Sequence, residues 1–348
     1  MKITDVDKNF RQSNPDCADA VFYDVKKEPF SIHGVFYDGD KFKRIPEKVA
    51  QNTNDGVKYL NQCTAGGRVR FVTDSPYVAV FVKYAEIGKM PHFALSGSVG
   101  LDLYSDGIYC GTFIPPYDLK KKKFGGKVWL AGGGKHEITV NMPSYSGVCE
   151  MLIGLKKDSV PEKAPDYKYT QPVVFYGSSI TQGGCCSRPG NTYQQILSNR
   201  LGFDYINLGF SGSAKGEQAI SDYIAALDMS AFVYDYDHNA PDAEHLRATH
   251  EKLFLNFRRS HPETPVLMLS RPKKHLDPDE IQRREIVKKT YENALARGDK
   301  NVYFIPGDEL ISDNAAEYAL VDNCHPNDIG FLSMANAVES TIKLMLEK

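Results

Sequence analysis

Five residues of the types an acyl-transfer centre needs are spread through the second half of the chain: Ser179, Gly212, Asn239, Asp322 and His325. A serine hydroxyl is a weak nucleophile until a base takes its proton. Histidine is the usual base, and it works best when a carboxylate holds its other ring nitrogen. Asp322 and His325 stand three residues apart, a spacing that one turn folds into contact. Ser179 follows an apolar run, Val173–Tyr176, and precedes a predicted helix, so its hydroxyl can be presented on a turn. A developing oxyanion needs fixed donors. Gly212 can offer a bare backbone N–H and Asn239 a side-chain amide.

These residues need a scaffold that brings loop positions together, and the chain around them alternates strand and helix. Apolar runs at Val173–Tyr176, Tyr205–Leu208, Ala231–Tyr234, Val266–Leu269 and Val302–Ile305 read as strands. Between and after them, Thr192–Arg200, Glu217–Leu227, Ala243–Arg259, Asp279–Ala296 and Asp328–Glu347 read as helices. This rhythm predicts a five-stranded parallel sheet covered on both faces. Ligands of such sheets sit at the carboxyl ends of the strands, which is where the candidate residues fall.

The first half differs. Short runs, often of period two, are broken by Gly, Pro, Asn and Asp: Arg68–Thr73, Tyr77–Tyr84, Gly100–Tyr104, Val128–Leu130 and His136–Val140. They predict an all-β sandwich with no long amphipathic helix. The charged, proline-containing stretch 156–169 reads as a linker or a strap across the interface. The expected organisation is a β-sandwich domain over 1–166 and an α/β domain over 167–348. Gly132-Gly133-Gly134-Lys135 lacks the full phosphate-loop pattern and is expected to form a hairpin turn.

At 348 residues with formal net charge −2, the chain has no electrostatic pull towards nucleic acid or an anionic membrane. No apolar run approaches the ~20 residues that span a bilayer. The N-terminus carries no signal-peptide pattern, so a cytoplasmic location is expected. The seven cysteines are scattered, without CxxC spacing, and are expected to be thiols rather than a disulfide framework.

The loop segments resemble the sequence blocks of the SGNH (GDSL-like) hydrolases. Ser179 in Gly177-Ser178-Ser179 matches the serine of the first block. Gly212 matches the glycine of the second and Asn239 the asparagine of the third, and Asp322-Asn323-Cys324-His325 matches the final D-x-x-H. Gly100-Leu101-Asp102-Leu103-Tyr104 is similar to the Gly-x-Asp-Leu-Tyr motif of the β-sandwich that precedes some members. The resemblance implies a flavodoxin-like three-layer α/β/α domain behind a jelly-roll-like sandwich. It also implies a Ser179–His325–Asp322 triad and an oxyanion hole from the N–H groups of Ser179 and Gly212 with the Asn239 amide. Two departures stand out: Ser178 replaces the usual Asp, and Asp237-His238-Asn239-Ala240 replaces Gly-x-Asn-Asp.

The implied activity is hydrolysis of short-chain acyl esters, O-acetyl groups on a small or oligomeric carbohydrate first among them, with no cofactor and no metal. The alternatives are acyl transfer to a sugar acceptor and a carbohydrate-binding protein with a vestigial hydrolase fold. His238 and Arg271 are candidate substrate contacts, Arg271 being equally well read as a salt-bridged loop residue. Asp235, Asp237 and His238 lack a metal-binding spacing. Ser211 falls short of the Gly-x-Ser-x-Gly elbow because Ser213 stands in the last place. Asp322 has a further reading as a turn residue. The oligomeric state is not encoded in any of these features.

Overall fold

The computed structural model describes residues 17–348. In the first half, eleven strands run in the order β1 (Ala20–Asp24), β2 (Ser31–His33), β3 (Phe36–Tyr37), β4 (Phe42–Lys43), β5 (Arg68–Thr73), β6 (Tyr77–Glu86), β7 (Leu101–Ser105), β8 (Ile108–Phe113), β9 (Lys123–Trp129), β10 (His136–Asn141) and β11 (Gly147–Lys156). Two antiparallel sheets, β1-β11-β6-β9 and β2-β5-β10-β7-β8, form the expected sandwich. Its core interleaves Val78, Val80 and Val82 of β6 with Leu101 and Leu103 of β7 and Ile138 and Val140 of β10, all buried. Each such side chain contributes about 1.5–3 kcal/mol relative to exposure. The Gly132–Gly134 turn is not a hairpin, contrary to expectation. It joins β9 to β10, which lie in different sheets, so it carries the chain across the sandwich.

The second half holds β12 (Tyr169–Gly177), β13 (Phe203–Gly209), β14 (Ala231–Asp235), β15 (Val266–Leu269) and β16 (Val302–Ile305). All pair in parallel, in the order β13-β12-β14-β15-β16. The α-helices among the described residues are α1 (Glu47–Thr53), α2 (Asp55–Leu60), α3 (Leu95–Ser98), α4 (Ser179–Gln182), α5 (Tyr193–Leu201), α6 (Gln218–Ala225), α7 (Ala243–Ser260), α8 (Pro278–Ala296), α9 (Gly307–Leu310) and α10 (Asp328–Leu346). One apolar layer sets Leu197 of α5 and Phe331, Met334 and Val338 of α10 against the sheet. The other sets Ile220 of α6, Leu246 and Phe254 of α7 and Val287 of α8 on the opposite face. Among the described residues no helix is long and apolar enough to cross a membrane, and none of the cysteines is in a disulfide.

The two halves are not joined end to end. α1 and α2 emerge from the sandwich half and extend the α6 side of the α/β core, where Ala50, Val57 and Leu60 are buried with Ile220 and Phe210. Seven and six residues are too few to leave a clear 3.6-residue period. Their junction is a cap: the Asn54 side chain accepts from the Val57 N–H at 2.8 Å. The stretch between β11 and β12 is pinned as a strap. Val72 and Glu162 exchange backbone hydrogen bonds of 2.8 Å, and the Tyr167 ring lies against the Arg70 guanidinium, 4.0 Å from its centroid.

Candidate active site

Ser179 is the first residue of α4, immediately beyond β12. The Ser178 side chain caps that turn, accepting from the Ile180 N–H at 3.1 Å. Serine and aspartate are both strong N-cap residues, so the departure from Gly-Asp-Ser keeps the capping function. The turn is close-packed on β14. A Cβ on Gly177 would fall 1.8 Å from the Asp235 carboxylate, so only glycine fits there. Asp235 is buried beneath the turn. It accepts from the Thr181 hydroxyl and from the Ser178 N–H, the latter at 3.3 Å. Burial pushes its carboxyl up to about 7, against the pull of the Thr181 hydrogen bond.

Asp322 and His325 lie on the loop between α9 and α10. The loop closes on itself through the Val321 N–H, which donates to the His325 carbonyl at 2.9 Å. The Asp322 Oδ1 atom accepts from the backbone N–H groups of Cys324 at 3.1 Å and His325 at 2.8 Å. Its Oδ2 atom meets His325 Nδ1 at 2.8 Å. The two readings of Asp322 are therefore compatible: one oxygen builds the turn and the other holds the imidazole. On the opposite side of the ring, His325 Nε2 lies 2.8 Å from Ser179 Oγ. Burial draws the His325 imidazole down, but its contacts with Cys324 and Asp322 outweigh this and leave it above its ordinary value. Burial likewise raises the Asp322 carboxyl, and the His325 and Cys324 hydrogen bonds more than offset it, leaving the carboxyl below its ordinary value.

The remaining candidates lie on the turn after β12 and on the loops after β13 and β14. The Ser179 N–H is at the first position of a helix, where no intrahelical acceptor exists. Gly212 has φ 63°, a left-handed conformation that suits glycine, and no neighbouring heavy atom lies within 4 Å of where its Cβ would stand. The Asn239 amide donates one N–H to the Phe210 carbonyl at 3.0 Å, a backbone contact that orients the amide. The loop carrying Gly212 rests on Arg44 of the sandwich half. This buried guanidinium donates to the carbonyls of Gly209 and, at 2.6 Å, of Leu60, and it stacks 4.3 Å from the Phe210 ring centroid. Burial lowers Arg44 to about 10.

His238 and Arg271 are placed differently. The His238 Nδ1 atom lies 3.0 Å from Asp237, and its buried Nε2 has no hydrogen-bond partner among the described residues. Arg271 is tied down as a salt-bridged residue. It pairs with Glu280 and donates to the Asn323 carbonyl at 3.3 Å, bracing the loop that carries Asp322 and His325. Asp235, Asp237 and His238 do not converge as a metal-ligand group. Among the described residues the convergent sets are His92, Cys185 and His325, and Asp322, Cys324 and His325.

The site has a wall that no spacing in the sequence points to. The loop after β6 brings His92 and Phe93 from the sandwich to His325. Their rings lie 5.5 and 6.1 Å from that of His325, and His92 Nε2 is 3.8 Å from the Asp322 carboxylate. Tyr145, against Phe93, donates its hydroxyl to the Ser179 carbonyl at 3.2 Å. Only a His-Phe pair after a proline marks this loop in the chain. The Gly-x-Asp-Leu-Tyr segment does face the other half, at the 188–190 loop. Buried Asp102 accepts from Arg188 at 2.7 Å, the Gly190 N–H at 2.8 Å and Asn141 at 2.8 Å, while Tyr104 donates to the Gly190 carbonyl at 3.2 Å. The motif is a latch on the 188–190 loop.

Residues 170–343 match the GDSL-like lipase/acylhydrolase family, and residues 20–160 match GxDLY, the N-terminus of SGNH-hydrolase-type esterases. No curated protein matches the sequence. Among solved structures, the chain is similar to a protein from Bacteroides ovatus described as a GDSL-like lipase, with TM-score 0.83 and 26% identity over 94% of this chain and 98% of that one. It also shares its fold with a salicylyl-acyltransferase from a tetracycline biosynthetic pathway, with TM-score 0.75 and 20% identity over 94% and 97% of the two chains. A family two carbohydrate esterase from Clostridium thermocellum, in complex with cellohexaose, aligns with TM-score 0.60 and 16% identity over 81% and 93%. The chain belongs to the GDSL-like lipase/acylhydrolase family and is a carboxylic ester hydrolase with a GxDLY sandwich at its front.

Proposed function

We propose that the protein removes short acyl groups, O-acetyl groups first among them, from a carbohydrate, with Ser179 as nucleophile, His325 as general base and Asp322 as the orienting carboxylate. The observation that carries this reading is the unbroken line from Ser179 Oγ to His325 Nε2 and from Nδ1 to Asp322, each link 2.8 Å. Ser179 Oγ attacks the ester carbonyl while Nε2 takes its proton. The negative charge moves onto the carbonyl oxygen, where the N–H groups of Ser179 and Gly212 and the free N–H of Asn239 receive it. Collapse expels the alcohol, which takes the proton back from Nε2. Water, deprotonated by the same nitrogen, then releases the acid and restores Ser179.

A small acyl group fits this reading because Phe93, Tyr145 and His92 stand close to the triad on the sandwich side. A carbohydrate leaving group is supported by likeness of fold to the carbohydrate esterase, and it is analogy at that level. The greater likeness of fold to an acyltransferase favours one second reading, in which a sugar hydroxyl replaces water in the deacylation step. A purely carbohydrate-binding role finds no support in a site with this hydrogen-bond line. The test is turnover of p-nitrophenyl acetate and of acetylated mono- and oligosaccharides by wild type and Ser179→Ala, with free saccharide added in a parallel arm. The expected result is acetate release by the wild type alone. Near-wild-type turnover by Ser179→Ala would refute the mechanism, and acetylated saccharide in the added-acceptor arm would replace hydrolysis by transfer.

A further inference from the structure

We infer that His92, Cys185 and His325 form a binding site for a thiophilic divalent cation such as Zn²⁺, and that its occupation switches the hydrolase off. The ligand atoms of these three side chains lie within 4.8 Å of one another. They arrive from three separate segments and from both halves of the molecule: the loop after β6, the loop after α4 and the loop before α10. Two imidazoles and a thiol are the ligand types that borderline-soft cations prefer. His92 is exposed, so an ion has a way in, while Cys185 is buried. Zinc bound by three protein ligands keeps a fourth position open.

Two details favour this set over the neighbouring one of Asp322, Cys324 and His325. Both Asp322 oxygens are already engaged, one accepting two backbone N–H groups of its own turn and the other meeting His325 Nδ1, so a cation on that set competes with those contacts. Cys185 carries no such structural duty. It follows Gly183 and Gly184 and holds φ 67°, a backbone conformation that a third glycine would adopt at lower cost. Binding converts the thiol to a thiolate bonded to the cation and releases its proton to water.

The consequence for activity follows from which nitrogen is taken. His325 Nε2 faces Ser179 and Nδ1 faces Asp322, so whichever ring nitrogen binds the cation is one the proposed triad uses. When Nε2 binds, the Asp322–His325 pair becomes the carboxylate–histidine support common behind zinc ligands. The inhibitory half rests on His325 being the base, whereas the binding half does not.

Binding is therefore tested without catalysis, in the Ser179→Ala protein titrated with Co²⁺ and followed by the thiolate-to-cobalt charge-transfer band. The band is expected, is lost in Ser179→Ala/Cys185→Ser, survives in Ser179→Ala/Cys324→Ser, and needs at least ~10-fold more Co²⁺ when His92→Ala is added. Absence of the band, its survival without Cys185, or its loss without Cys324 overturns the site. Inhibition is tested with ZnCl₂ on p-nitrophenyl acetate turnover, each variant scaled to its own uninhibited rate. Wild type is expected to be inhibited and to recover with EDTA, and Cys185→Ser to need at least ~10-fold more Zn²⁺. Saturated binding with undiminished turnover overturns the inhibition and the role of His325, while leaving the site itself in place.

Discussion

At the scale of single residues, the site is built so that each polar atom has a separate duty. The clearest case is Asp322, whose two oxygens respectively close the loop and hold the imidazole. Its charge also helps to raise His325 above its ordinary value. Only the neutral imidazole can accept the Ser179 proton, so kcat/KM should rise with pH through that raised value. Asp322→Asn removes the raising charge. The acid limb of the pH profile should then move to lower pH while the plateau falls by roughly 10⁴-fold. A limb that stays in place, or moves up, would show that Asp322 does not set the base. Asn239→Ala should lower kcat by about 10²–10³-fold with little change in stability, because among the described residues its side chain makes one hydrogen bond, to the Phe210 carbonyl. Steady-state kinetics beside a melting curve separates the two effects. A fall in stability without a fall in kcat would make Asn239 a turn residue only.

At the scale of elements, the α/β half was largely legible. β15 and β16 have the bounds that their apolar runs predict, and α7, α8 and α10 differ from expectation by a residue or so at an end. Long elements buried on one face carry their period in plain view. α1 and α2 were not legible, because short helices leave little period and theirs lie among strands. Arg44, between β4 and α1, was invisible for a related reason: besides the Leu60 carbonyl, a buried arginine here is explained by the Gly209 carbonyl and the Phe210 ring, more than 160 positions away. That residue joins the sandwich to the loop that carries Gly212. Arg44→Met should cost about 3 kcal/mol in urea unfolding, since three backbone carbonyls lose a charged donor. It should also lower kcat at least ~10-fold, well beyond any change in KM. Unaltered kinetics in a destabilised variant would confine Arg44 to packing.

At the scale of the whole molecule, the candidate site belongs to neither half alone. Ser179, Gly212 and Asn239 could be picked out because they follow strands, and Asp322 and His325 by their three-residue spacing before the last helix. His92, Phe93 and Tyr145 could not, since a contact between a sandwich loop and a distant turn leaves no spacing to read. The same interface is latched by Asp102 on Arg188 and by Arg68 on Asp204, and it buries Ala50, Val57 and Leu60 in the α/β core. Residues 167–348 produced alone should therefore expose that apolar face and lack a cooperative melting transition. Production of the intact chain beside the fragment, compared by calorimetry, checks this. A fragment that melts cooperatively with wild-type turnover would make the sandwich an accessory. The central claim, that Ser179 is the activated nucleophile, is tested most directly by treating the full chain with a fluorophosphonate and mapping the adduct by mass spectrometry. One adduct on Ser179 is predicted, absent in Ser179→Ala and slowed at least ~10³-fold in His325→Ala. An adduct on Ser211, or labelling of Ser179→Ala at the wild-type rate, would contradict it.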